Sequence, residues 1–149
     1  MIIYKQGNIL KDLSNLTILA HQTNCRGVMG AGIAKQIARL YPEVNVAQRK
    51  MYKDGLQRLG AAQFIKVNDG KLTIANLYAQ KGFRSFPWQR LTNYDALRQC
   101  LRTLLQHMSD SDRLGMPKIG AGLGGGDWGV IAEIIEDVFR YTTVYVYER

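Results

Sequence analysis

The chain has 149 residues, 46% hydrophobic and 21% charged, so it carries enough apolar side chain to bury one core and is too apolar for a disordered segment. No apolar run approaches the ~20 residues of a membrane-spanning helix, and the start Met1-Ile2-Ile3-Tyr4-Lys5 reads as lacking a secretory signal. Twenty Lys and Arg against twelve Asp and Glu leave a net charge of +8, which points to a phosphate-bearing partner; two cysteines without metal-type spacing, Cys25 and Cys100, predict a reduced, cytoplasmic protein and exclude zinc fingers and secreted disulfide scaffolds.

In chain order, Ile2–Gln6 is short, apolar and followed by the turn pair Gly7-Asn8, which predicts a strand. Leu16–Gln22 is a nearly continuous apolar run, the pattern of a strand buried on both faces. The glycine-rich stretch 27–32 leads into a helix with Ile33, Ile37 and Leu40 or Tyr41 on one face, ended by Tyr41-Pro42, and a second helix covers Val44–Lys53. Gln63–Asn68 and Leu72–Gln80 are expected as strands joined by Asp69-Gly70. A loop over 81–91 holds Gly82, Phe83, Arg84, Phe86, Pro87 and Trp88, an aromatic cluster suited to stacking a base, covering a pocket or packing a satellite core. Thr92-Asn93-Tyr94-Asp95 opens a long helix with Leu97, Leu101, Leu104, Leu105 and Met108 on its apolar side. A short strand over Leu114–Ile119, a loop with five glycines over 120–126, a helix capped by Asp127 and a last strand over Thr142–Tyr147 complete the chain. About six strands alternating with four helices predict an α/β fold, a three-layer α/β/α sandwich with a mixed sheet formed by one domain over residues 1–149.

Both glycine-rich loops follow a strand and lead into a helix. Ligands of open α/β sheets bind at the carboxyl ends of strands. Backbone N–H groups at a helix start attract phosphate, and glycine lets the backbone come close. Two such loops at one edge could grip a diphosphate from both sides. Neither loop is a Walker motif or a good G-x-G-x-x-G, so dinucleotide redox chemistry is disfavoured. The chemical candidates beside the loops each have a plain structural alternative. His21 suits a satisfied core histidine, Asn24 a turn, Cys25 a buried thiol, Lys81 a solvated lysine and Asp127 a helix cap. His107 is expected on the exposed end of its helix, and no metal-ligand spacing is present.

These segments together resemble a macrodomain, the ADP-ribose-binding α/β/α module. The resemblance runs through Lys5-Gln6-Gly7-Asn8-Ile9-Leu10, the stretch His21 to Ala34, Tyr41-Pro42, Ile74-Ala75-Asn76-Leu77, and Met116-Pro117-Lys118-Ile119-Gly120-Ala121-Gly122-Leu123-Gly124-Gly125-Gly126-Asp127-Trp128. It implies that Asn8, with Ile9, stands where the family usually has an Asp on the adenine amino group. It implies that Gly30, Ala31, Gly32, Ile33 and Ala34 line the distal ribose and diphosphate. Gly120, Ala121, Gly122, Leu123, Gly124 and Gly125 would wrap the diphosphate from the other side, with Asn24 reaching the ribose hydroxyls.

Three branches of the family resemble the chain. ADP-ribose 1″-phosphate phosphatases match at Gly7–Leu10 and His21–Ala34, with a catalytic histidine at His21. Terminal ADP-ribosyl glycohydrolases match at Met29–Ala34 and Met116–Leu123; they use a lysine near Lys81 and an aspartate where this chain has Gly124, for which Asp127 is the nearest substitute. DNA ADP-ribosyl hydrolases match at Gly27–Gly30 and Gly122–Trp128, with their lysine at Gln80 or Lys81. The expectation is a monomeric hydrolase, without metal or cofactor, acting at C1″ of the distal ribose. ADP-ribose 1″-phosphate phosphatase is placed first, removal of ADP-ribose from protein or DNA second, and a non-catalytic ADP-ribose reader third. His21 would serve the first reaction as acid or base, and Lys81 the second by attack at C1″.

Overall fold

A computed structural model describes residues 1–82 and 89–149. Among the described residues six strands form one sheet: β1 Ile2–Gln6, β2 Ile18–Asn24, β3 Ala62–Val67, β4 Leu72–Gln80, β5 Leu114–Pro117 and β6 Val144–Glu148, in the order β1-β6-β5-β2-β4-β3. Every neighbouring pair is parallel except β3–β4, so the sheet is mixed. The helices are α1 Gly32–Leu40, α2 Pro42–Lys53, α3 Tyr94–His107 and α4 Trp128–Val138, with two 3-10 turns at Ile9–Lys11 and Leu13–Asn15. The expected sandwich is therefore the observed architecture.

Two apolar layers flank the sheet. On one face Leu97, Leu101 and Leu104 of α3 and Ile131 and Ile135 of α4 pack over Ile18, Ala20, Ala75 and Leu77. On the other, Ile37 of α1 and Val44 of α2 pack over Leu19 and Ile74. Strand β4 lies between β2 and β3 and is buried from Leu72 to Ala79, which explains its unbroken apolar character.

Local chemistry sets the element ends. Pro42 occupies the first turn of α2, where a missing N–H removes no hydrogen bond. Asn93 caps α3 by accepting from the Ala96 N–H at 2.9 Å, and Asp127 caps α4 by accepting from Gly129 at 2.8 Å. The β3–β4 connection differs from the expected two-residue turn. It is a four-residue loop, 68–71, because Asn68, Asp69 and Gly70 all take positive φ (53°, 55° and 79°).

Strand β2 also differs from expectation. It starts at Ile18 and runs on to Asn24, because β4 supplies a parallel ladder partner as far as Gln80. Its other neighbour does not follow. Strands β2 and β5 are in register at Ile18↔Leu114 and Leu19↔Gly115, and among the described residues no further. β5 ends at Pro117, which has no N–H to extend a ladder. The sheet is split at this point, and the chain leaves β2 toward α1 on one face and β5 toward α4 on the other.

Candidate functional site

The split opens a cleft of about 620 Å³ at the carboxyl ends of β2 and β5. That is within the ~300–1,000 Å³ of typical small-molecule sites. One wall is the segment Gly30–Ala34; the other is Gly120, Gly122, Leu123 and Gly124; Gln22, Thr23, Asn24 and Gln80 come from the strand ends. A second cavity of about 210 Å³ lies against Asn8, Ile9, Leu10, Tyr147 and Arg149 and shares Ile33 and Pro117 with the first. The two together make one elongated depression, wide at the glycine loops and narrow at Asn8.

Each wall offers backbone donors. Ala31 precedes α1 and has no side chain with which to cap its first-turn N–H groups, and that turn carries no acid. Uncapped amides at a helix start favour an anion. The facing loop is held rigid by its own hydrogen bonds. Gly126 N–H donates to the Gly120 carbonyl at 2.7 Å, and the Leu91 and Thr92 N–H groups donate to the Gly124 carbonyl at 2.8 and 3.1 Å. The Thr92 hydroxyl donates to the Gly120 carbonyl at 2.8 Å.

Gly120 and Gly124 are among the positions of this loop that require glycine. Gly120 has φ +73°, a left-handed conformation that side chains rarely adopt. At Gly124 a Cβ would stand 2.4 Å from the Thr92 hydroxyl oxygen and 2.7 Å from the Gly120 carbonyl oxygen. That buried site has no room for the aspartate of the terminal glycohydrolase pattern.

The structure does not bring all the sequence candidates together. Asn8, Ile9, Gly30, Ala31, Gly32, Ile33, Ala34, Asn24, Gly120, Gly122, Leu123 and Gly124 line the two cavities, with Ala121 and Gly125 in the same loop. His21 lies apart. It is completely buried in β2, on the α2 side of the sheet, and outside both linings. Its Nε2 is 2.5 Å from the Asn76 Oδ1; Asn76 donates to Gln63, which also accepts from the Tyr78 hydroxyl. Among the described residues its Nδ1 has no hydrogen-bond partner. Burial pushes the imidazole pKa down to about 4, only partly offset by the bond to Asn76, so the ring is neutral.

Asn24 is present in the cleft, but its amide is engaged: it donates to the Val28 carbonyl at 3.0 Å and accepts from the Arg26 N–H at 2.9 Å. It thereby folds the turn that aims Gly30–Ala34 inward. Asn8 likewise caps the first 3-10 turn by accepting from the Leu10 N–H at 3.0 Å. Asp127 is occupied as the α4 cap, and its own N–H donates to the Tyr94 hydroxyl.

Lys81 is exposed at the end of β4, directly after Gln80 of the cleft floor; its carbonyl accepts from the Cys25 N–H at 3.3 Å. Cys25 is half-buried, and desolvation raises its thiol pKa against the pull of Lys81 and Arg26, which disfavours a thiolate nucleophile. His107 is exposed as expected and stacks on Phe64 with ring centroids 3.9 Å apart. The aromatic residues Phe83, Phe86 and Trp88, with Arg84 and Pro87, lie outside the described residues.

Two polar residues of the cleft lining, Gln22 and Thr23, are absent from the sequence candidates. The Gln22 Nε2 donates to the Gln80 Oε1 and to the Thr92 hydroxyl, both at 2.9 Å, tying β2, β4 and the start of α3 together. The available signal was a glutamine at the carboxyl end of each of two apolar strands. Thr92 stands first in the capping-box-like stretch 92–95, but it is Asn93 that caps α3.

A model of the Macro domain family matches residues 20–135. Over 142 residues the chain is 31% identical to the DNA ADP-ribosyl glycohydrolase of Mycobacterium tuberculosis; the match covers 94% of this chain but only 39% of that protein. Over 177 residues it is 25% identical to the ADP-ribose 1″-phosphate phosphatase of Saccharomyces cerevisiae, covering 99% of this chain and 98% of that one. Among solved structures, the macrodomain of Mycobacterium tuberculosis DarG superposes with a TM-score of 0.83 at 26% identity, covering 100% of this chain and 98% of that one. A split mixed sheet, two glycine loops facing across the split and a family match over most of the chain lead to one assignment: the chain belongs to the macrodomain family.

Proposed function

We propose that the cleft binds ADP-ribose and that the chain hydrolyses the bond at C1″ of its distal ribose, releasing ADP-ribose from an ADP-ribosylated nucleic acid. The observation that carries this reading is the separation of the two candidate catalytic side chains. Lys81 stands exposed beside the cleft floor, while His21 is sealed beneath the sheet as a neutral ring. The similarity to a protein named DNA ADP-ribosyl glycohydrolase and the net charge of +8 support a nucleic-acid conjugate.

The glycine-loop amides of both walls hold the diphosphate, and Asn8 and Ile9 contact the adenine end in the narrower cavity. Breaking the C1″ bond sends its electron pair to the departing base. An exposed ammonium suits proton donation better than attack on carbon, so Lys81 protonates that base while water adds at C1″. The proton lost by the water returns to the Lys81 amine, which restores the starting state.

The test offers an ADP-ribosylated single-stranded oligonucleotide, a glutamate-ADP-ribosylated protein and ADP-ribose 1″-phosphate to the protein and to Lys81→Ala, with products separated by chromatography. The expected result is ADP-ribose release from the oligonucleotide. It should fall at least ~100-fold in Lys81→Ala, the scale of a lost general acid, with calorimetric ADP-ribose affinity unchanged. Phosphate release from the third substrate alone would establish the phosphatase reading, which the yeast relative's name favours. Binding without turnover on all three would make the chain a reader.

A further inference from the structure

The charge of this chain is unevenly distributed. Residues 13–68, which contribute β2, α1, α2 and β3, carry eight Lys and Arg against two Asp and Glu. The opposite layer has the reverse bias at α4, which carries Glu133, Glu136 and Asp137 and no basic residue. Most of the positive surplus therefore sits on the α1–α2 side of the cleft.

That surplus reaches the cleft mouth along a continuous path. The Arg26 guanidinium lies against Gly82, where a Cβ would be 3.0 Å from its Nε, so it stands next to Lys81. Gly27 follows, and the Tyr52 ring is packed on it: a Cβ there would meet the ring at 2.8 Å. The Gly27 N–H donates to the Gln57 side chain at 2.9 Å, which anchors the next turn and with it Arg58. Arg49 and Lys53 lie one turn before and directly after Tyr52. Arg26, Arg49, Lys53 and Arg58 are all exposed, and none forms an ion pair among the described residues. Tyr52 remains 49% exposed although it packs on the loop.

Unpaired cations interleaved with an exposed ring are the chemistry of single-strand nucleic-acid binding, in which cations follow the phosphates and a ring stacks a base. We propose that Arg26, Arg49, Tyr52, Lys53 and Arg58 form a docking track for a single strand of nucleic acid, along which a modified nucleotide is led into the cleft. The track rests on the reading of the cleft given above, but it binds the strand whether or not the strand carries ADP-ribose.

The experiment uses fluorescence anisotropy with unmodified twelve-nucleotide DNA and RNA single strands and a poly-glutamate peptide, across a salt series. The variants are Arg49→Glu with Lys53→Glu, and separately Tyr52→Ala. The charge-reversal pair touches no loop contact, so it keeps the proposal testable if Tyr52→Ala disturbs Gly27. The expected result is strand binding that weakens at least ~10-fold in the reversal pair, with a log–log salt slope shallower by about 1.4, two single-strand phosphate contacts. The ADP-ribose affinity should stay unchanged. The tighter of the DNA and RNA arms names the strand. Unaltered strand affinity in the reversal pair, or equal binding of poly-glutamate, would overturn the track. Strand binding by a protein that fails to bind ADP-ribose would remove the cleft reading and leave the track standing.

Discussion

Burying an imidazole away from water without an acidic partner favours its neutral form, and His21 carries this to its end. In the unfolded chain such a ring takes a proton near pH 6.5, whereas the folded protein resists until about pH 4. Between those values the unfolded chain binds the extra proton, so acidification across the window shifts the equilibrium toward unfolding. Stability present above pH 6.5 is lost progressively toward pH 4. Urea unfolding should give a free energy about 2 kcal/mol lower at pH 5 than at pH 7. Equal values would show that the ring is accessible and chargeable. Asp12, held below the usual carboxylate range by the Tyr147 hydroxyl, Lys5 and Asn15, loses its contribution only below about pH 3.8, outside this window. The location of His21 was not legible in the sequence. A strand buried on both faces shows no alternation, so nothing in Leu16–Gln22 tells whether position 21 faces a cleft or a helix.

At the scale of the element, the loop after β5 is the most constrained part of the site. Its hydrogen bonds to Leu91 and Thr92 leave Gly124 no volume beyond a hydrogen atom. Gly124→Ala should displace the loop, lower ADP-ribose affinity at least tenfold in calorimetry and cost about 1–3 kcal/mol of stability, the scale of overpacking. An alanine variant with native affinity would show the loop to be pliable. Glycine richness makes both loops legible in the amino-acid sequence as close-approach segments. Which glycine is obligatory is not legible there, because Thr92 and Gln22 crowd Gly124 from segments 32 and 102 residues away in the chain. The extension of β2 to Asn24 is not legible in the sequence for a similar reason: its last residues are polar, and their ladder partner on β4 is supplied by tertiary structure.

For the whole molecule, strand order predicts a gradient of local stability. Strand β4 is buried from Leu72 to Ala79 and paired on both sides, whereas β1 is an edge strand with exposed Ile3 and Tyr4. Amide hydrogen exchange should be slowest in Ile74–Ala79 and at least ~100-fold faster in Ile2–Gln6. Uniform protection would mean that the sheet opens only as a unit. The layered fold was legible because helix and strand periods alternate cleanly and turn residues stand between them. The order of the strands and the split between β2 and β5 were not, since they follow from how the elements pack.

That split has a consequence for how the protein comes into being. The cleft's two walls are borne by strands adjacent in space, but one begins at Ile18 and the other at Leu114. A nascent chain therefore carries Gly30–Ala34 without its facing wall until the residues beyond Leu114 have been made. The binding site is assembled only once the segment from Leu114 through Gly124 has joined the sheet, so a ligand of the cleft acts by mass action on the assembled fold.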